Sequence, residues 1–161
     1  MFLVQGAKGI RDDGVIRLPF ADGKTSLIAA ADVGVAAAAV LANPEPHIGK
    51  VYELTGLQSM TMAQYAQEFS RALGRTIQYV NVPPQIWEAK LHEAQLPAHL
   101  IAHLITMGQL HRDNRYDRMT DSFQQLVGRA PISAAEFARR HADVFTPGES
   151  SLLGIVTVEA G

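Results

Sequence analysis

Cysteine is absent from the 161 residues. Disulfide cross-links, thiolate nucleophiles and cysteine-bound zinc are therefore excluded. An excess of charge is also lacking. Fourteen Lys and Arg stand against 16 Asp and Glu, a formal net charge of -2, without the clustered positive charge that a nucleic-acid partner requires. No long hydrophobic run is present either. Residues 27–42 are the most apolar stretch, but they carry Asp32 and fall short of the roughly 20 residues that span a bilayer. Phe2, Leu3 and Val4 give way at once to Gln5, Gly6 and Lys8, so a secretory signal is not read there. The expectation is a cytoplasmic protein with no nucleic-acid or membrane partner. None of the serines stands in a Gly-x-Ser-x-Gly setting, so no nucleophile elbow is legible.

What is present is ordinary for a globular chain: 47% hydrophobic and 19% charged residues, at a length that suits one domain with a modest core. Residues 2–13 read as a short helix, with Leu3, Ala7 and Ile10 on one face and Gly14 to end it. Two strand-like runs follow, 15–20 and 25–29. Asp22-Gly23 between them supplies the positive-φ chemistry of a hairpin-like turn, although Pro19 argues against a perfect ladder. Asp32 is placed to cap an Ala-rich helix that Asn43, Pro44 and Pro46 stop near residue 42. Residues 51–54, between Gly49 and Gly56, suit a short buried strand. Strand, helix, strand is the order of a crossover in an α/β sheet.

Thr61 opens a capping box with Gln64, and Met60 is set to staple onto Tyr65. The helix behind them carries Tyr65, Phe69 and Leu73 on one stripe and stops at Gly74. Residues 77–82 form a further strand ended by Pro83-Pro84. Helices over 84–94 and 97–110 follow, then a charged stretch, 111–118, that reads as an exposed loop. A short helix over 121–127 ends at Gly128. Ser133 and Glu136 form a second capping box, Ile132 staples to Phe137, and the last helix runs to about residue 144 with Phe137 as its buried anchor. Residues 1–147 make one domain. Residues 148–161 are a tail whose apolar run 152–158 is either an extra strand or a disordered extension.

Several residues have chemistry worth testing. The loop from Phe20 to Lys24 is either the rim of a ligand cleft or simply a turn, and Lys24 is its one candidate contact for an anion. Trp87, Met107 and Leu110 either line an apolar pocket or belong to the core. His99 and His103 share a helix face at a spacing that can hold a metal, but no third ligand accompanies them, so no metal site is expected.

The order of short motifs adds a family resemblance. They are Ile10-Arg11-Asp12-Asp13-Gly14, Ala21-Asp22-Gly23-Lys24, Ala31-Asp32, Gly49-Lys50-Val51-Tyr52-Glu53-Leu54-Thr55-Gly56, Leu73-Gly74-Arg75, Thr120-Asp121 and Val127-Gly128-Arg129-Ala130-Pro131, with Phe137-Ala138 at the end. Together they resemble the second half of NmrA-like proteins, atypical short-chain dehydrogenases that include NAD(P)H-quinone reductases. The resemblance implies the C-terminal part of an NAD(P)-binding Rossmann-like fold, with few short strands and a predominantly helical substrate-side region. It implies a truncated NAD(P)H-dependent oxidoreductase or dinucleotide-sensing relative acting on a small molecule. Phe20, Lys24, Trp87 and Met107 are then the substrate-side candidates. NAD(P)H is the implied cofactor, yet no Gly-rich turn follows a strand here, so no cofactor-binding residue is assigned and binding by this chain alone is not expected. The implied partner is a second copy or a chain carrying the Rossmann half, with Leu3, Val4 and the face at 36–40 as the surfaces left exposed. The alternative is a non-catalytic remnant, a self-associating or partner-binding module with no cofactor.

Overall fold

The computed structural model describes residues 6–147. The expectations for Leu3, Val4 and the tail at 148–161 lie outside the described residues. The chain builds α1 (Ala7–Asp13), β1 (Val15–Leu18), β2 (Lys24–Thr25) and α2 (Ala30–Ala42), then β3 (Met60–Thr61), α3 (Met62–Leu73) and β4 (Gln78–Asn81). Five helices follow: α4 (Pro84–Glu93), α5 (Ala98–Arg112), α6 (Ser122–Val127), α7 (Ala134–Arg140) and α8 (Ala142–Phe145). The result is mixed α/β, mostly helical with few strands.

β1 alternates as the pleat demands, with Ile16 and Leu18 buried and Arg17 exposed. It pairs in parallel with β4, Ile16 lying opposite Tyr79, while β2 pairs antiparallel with β3. The expected hairpin between the first two runs is therefore not formed. The left-handed residue of the connecting loop is Ala21, at φ 48°, not Asp22 or Gly23. Gly23 serves a different need: a Cβ there would sit 1.9 Å from the His111 carbonyl oxygen. The run 25–29 contributes only Thr25 to a strand. Beyond it the Ser26 carbonyl accepts from the Gly56 amide and the Leu27 amide donates to the Tyr65 hydroxyl, which removes these groups from any ladder.

The expected buried strand at 51–54 is a second correction. Among the described residues it has no ladder, and Val51 is 95% exposed. Its backbone is instead held by a Thr120 hydroxyl that donates to the Glu53 carbonyl at 2.5 Å.

α3 forms as its sequence dictates. The Gln64 amide donates to the Thr61 hydroxyl at 3.3 Å and the Thr61 amide to the Gln64 side chain at 2.9 Å, so both halves of the box are made. Gly74 closes it at φ 66°. Its buried stripe of Met62, Tyr65, Ala66 and Phe69 meets Ile10, Ile16, Leu18, Ile77, Ala138 and Phe145 in the core. At α7 only half the box exists. Ser133 accepts from the Glu136 amide, but the Glu136 carboxylate pairs with Arg139 and Arg140. The expected single helix to 144 breaks at His141, which swings Phe145 into the core. There Phe145 is fully buried, its ring 5.2 Å from Phe69 in an edge-on arrangement. Phe137, the expected anchor, is only half-buried. Arg75 Nη2 donates to the carbonyls of Ile10, Arg11 and Phe145, which joins the C-terminal ends of α1 and α8.

Asp32 does not cap α2. Ala29 occupies the cap position, and Asp32 lies inside the first turn, 2% exposed. Its carboxylate accepts from Arg129 Nη2 and from the Ile132 amide, both at 2.8 Å. The Arg129 guanidinium in turn lies over the Phe123 ring, 5.1 Å from its centroid. Asp32 thus clasps α2 to the segment between α6 and α7.

Two outcomes follow for chemical denaturation. Phe145→Ala should cost roughly 3–5 kcal/mol, as a fully buried Phe does, whereas half-buried Phe137→Ala should cost only about 1–3 kcal/mol. Asp32→Ala should cost about 1–3 kcal/mol, because it leaves the Ile132 amide without its acceptor. Equal midpoints for the two phenylalanine variants would show that the break at His141 does not matter.

Candidate functional site

The loop leaving β1 is held by β4. The Phe20 amide donates to the Tyr79 hydroxyl at 3.2 Å, and that hydroxyl donates to the Leu18 carbonyl at 3.0 Å. The Ala21 amide donates to the Asn81 side-chain oxygen at 3.0 Å, and the Lys24 amide to the Asn114 side-chain oxygen at 2.9 Å. These bonds sustain the left-handed backbone of Ala21, a conformation that a residue with a Cβ does not keep unaided. Burial raises the Tyr79 pKa, so the hydroxyl stays protonated and can donate.

Phe20 is buried and stacks on His111, with centroids 3.9 Å apart and planes 7° from parallel. Tyr116 packs on the same imidazole at 4.4 Å. His111 Nδ1 lies 2.8 Å from the Met107 carbonyl, an acceptor, so the proton of the neutral ring sits on Nδ1. Burial pushes the His111 pKa below 6.5, and the Met107 carbonyl opposes it less strongly.

α4 approaches α5 at Gly108. A Cβ on Gly108 would lie 3.2 Å from Pro19 Cγ and 3.5 Å from Trp87 Cζ3, so the missing side chain makes room for both. Trp87 and Met107 are half-buried. Phe20, Trp87 and Met107 are therefore gathered along the C-terminal half of α5, through Pro19, Gly108 and His111. Lys24 stays apart, exposed in β2 opposite Thr61. His99 and His103 are exposed on α5, and no cluster of three metal-ligating side chains exists among the described residues.

Sequence reasoning missed His111, Tyr116, Tyr79 and Asn81. The stretch 111–118 is not wholly an exposed loop, because α5 continues through Arg112 and buries His111. A signal existed: Leu104, Gly108 and His111 fall at i, i+4 and i+7, one helix stripe. Tyr79 and Asn81 gave none, since their partners are backbone amides some 60 residues earlier in the chain.

The imidazole of this corner is committed to a carbonyl and to stacking, and both Phe20 and His111 are buried at 2% exposure. A small, half-open pocket of about 20 Å³ lies elsewhere, between Leu27, Met60, Tyr65 and Ile132. Tyr65 donates there to the Thr25 carbonyl and accepts from the Leu27 amide, and burial pushes its pKa up to about 12, so it transfers no proton near neutrality.

A dinucleotide needs free amide donors at a helix start. α4 begins at Pro83-Pro84, which carry no N–H, and Pro97 precedes α5. The Gln64 amide of α3 is taken by Thr61, and the first turn of α2 carries the Asp32 carboxylate. Among the described residues, no Gly-rich turn leads from a strand into any of these four helices.

The sequence profile of the NmrA-like family matches residues 3–138. The NAD(P)H azoreductase of Xenophilus azovorans is 29% identical over 89% of this chain and 50% of its own length. The solved NADPH-dependent quinone oxidoreductase of Escherichia coli superposes with a TM-score of 0.74 at 27% identity, over 84% of this chain and 49% of its own. The Citrobacter triphenylmethane reductase complexed with NADP(H) shares the fold, with a TM-score of 0.72 at 21% identity, over 88% of this chain and 48% of its own. The chain spans about half the length of the curated relatives it matches.

The buried imidazole sets a pH dependence. The unfolded chain takes up a proton near the ordinary histidine value, while folded His111 resists it. Its contribution to stability is therefore complete above that value and is lost as pH falls through it towards the lowered folded value. Urea midpoints measured from pH 8 to pH 5 should fall more for the unaltered chain than for His111→Gln. Parallel curves would mean that the ring protonates freely in place.

Proposed function

Because the chain belongs to the NmrA-like family, we propose that it forms the C-terminal, substrate-side half of an NAD(P)H-dependent oxidoreductase. The observation that carries this reading is that the family profile matches residues 3–138 while this chain covers only half of the relatives' length, and that no Gly-rich turn leads from a strand into a helix among the described residues. In this reading residues 1–147 are the substrate-side unit, and 148–161 are an appendage to it. The cofactor, bound by the remainder of the fold, supplies a hydride. This chain's residues hold the acceptor: Trp87 and Met107 form its apolar wall, and the Phe20 loop sets its edge, while Lys24, exposed opposite Thr61, takes no part. The relatives' names, azoreductase and quinone oxidoreductase, support a conjugated small molecule as that acceptor. Among the described residues no helix is long and apolar enough to cross a membrane, and we place the reaction in the cytoplasm.

A second reading, a self-associating or partner-binding module without cofactor, draws support from the exposed valines and leucine of α2. Two titrations test the readings, the first expected to come out the same for both and the second separating them. The chain alone should show no saturable micromolar NADPH binding by calorimetry. Trp87 is the one tryptophan, so a soluble benzoquinone should quench its fluorescence saturably, and Met107→Asp should weaken that quenching. Purely linear, collisional quenching that Met107→Asp leaves unchanged would sink the substrate-side assignment.

A further inference from the structure

Of the ten arginines, seven hold an acidic partner among the described residues, and Arg75 is given over to backbone carbonyls. Arg112 and Arg115 remain. Arg115 is exposed, where water satisfies a guanidinium without help. Arg112 is half-buried at the end of α5. Its one hydrogen bond among the described residues runs from Nη1 to the Pro19 carbonyl at 3.4 Å, long for such a bond. A guanidinium carries five donors in a planar fork that matches a pair of anionic oxygens, and most of that capacity is unused here.

The fold sets this charge beside the acceptor wall. Arg112 follows Gly108 by one helical turn, on the same face of α5. Pro19 and Trp87 come together over Gly108, and Pro19 supplies the carbonyl that Arg112 reaches. An indole and a cation therefore lie along one stripe of α5, with the Phe20 loop beside them. Nothing nearby neutralises the cation. Asp113 bonds the Gln109 side chain, and His111 is buried and neutral. The Tyr79 hydroxyl, whose pKa is raised chiefly by burial, also feels the positive charge of Arg112 and, less strongly, the negative charge of Asp22. Asp22 is exposed and forms no ion pair with Arg112 among the described residues.

We propose that Arg112 is a specificity-determining residue of the substrate-side unit, selecting a conjugated acceptor that carries a carboxylate or sulfonate. The ring lies against Trp87 and the anionic oxygens meet the guanidinium, a charge-assisted contact that a neutral acceptor lacks. The part that sequence gave to Lys24 passes to a residue of α5, and Asp22 opposes it. The proposal rests on the substrate-side reading and adds the charge of the substrate to it.

The test compares Trp87 quenching by anthraquinone sulfonate and by the neutral hydroxymethyl anthraquinone, using the chain as it stands. The sulfonate should saturate at about tenfold lower concentration. Arg112→Gln should abolish that preference and leave the neutral compound unchanged, whereas Arg112→Lys, which keeps the charge but not the fork, should retain part of it. Asp22→Asn should tighten the sulfonate alone. Equal affinities in the unaltered chain overturn the proposal, as does a preference that survives Arg112→Gln, or an Arg112→Gln variant that loses both compounds equally, since the arginine then only supports the fold. Saturable quenching by the neutral compound without a sulfonate preference leaves the substrate-side reading standing and removes the proposal. No saturable quenching by either compound removes both.

Discussion

The parallel pairing of β1 with β4 is the constraint from which the rest of the molecule follows. It sets Ile16 opposite Tyr79 and Leu18 opposite Asn81. The loop leaving β1 therefore emerges beside the side chains of β4, and α4 begins from the same end of the same ladder. Tyr79 and Asn81 then take the amides of Phe20 and Ala21. That fixes a backbone turn whose ring, Phe20, reaches His111 on α5. Two short strands distant in sequence thereby decide where two helices, α4 and α5, and one loop meet. Parallel pairing cannot be closed by a tight turn, so this arrangement depends on the long excursion through α2 and α3 between the strands.

The core has a second fastening, and it is chemically different. Arg75 gathers carbonyls from the ends of α1 and α8, and Phe145 fills the space against Phe69. On the opposite flank, the buried Asp32 carboxylate ties α2 to the approach of α7. Both fastenings use one charged side chain to satisfy backbone groups of another element. In a chain without cysteine, these polar clasps and the aromatic cluster do the work that a cross-link does elsewhere. The inner side of α2 is therefore fully accounted for, while its outer side is apolar and uncovered.

The candidate site belongs half to local sequence and half to this long-range closure. Phe20, Trp87 and Met107 were legible as apolar residues near turn and helix positions, and they do share one end of α5. Lys24 was equally legible and stands apart, because its backbone amide is directed to Asn114 and its strand faces β3. His111 was hidden by its charged neighbours Arg112, Asp113 and Arg115. Charge marked the stretch as solvent, but only the face of α5 towards the Phe20 loop is buried, and His111 lies on it.

The sequence by itself determined the helices and most of their ends. Gly14, Gly74 and Gly128 stop helices, Thr61 with Gln64 starts one, and Pro83-Pro84 ends a strand, because capping and φ restrictions act within a few residues and need no partner. The tertiary structure decided what depends on partners. It took the loop after β1 out of a hairpin, moved Asp32 from a cap to a clasp, broke the last helix at His141 and exchanged Phe137 for Phe145 as the anchor. Among the described residues it left 51–54 without a ladder although their composition asks for one. A strand and a buried carboxylate are both defined by what lies across from them, and that neighbour is chosen by the fold rather than by adjacent residues.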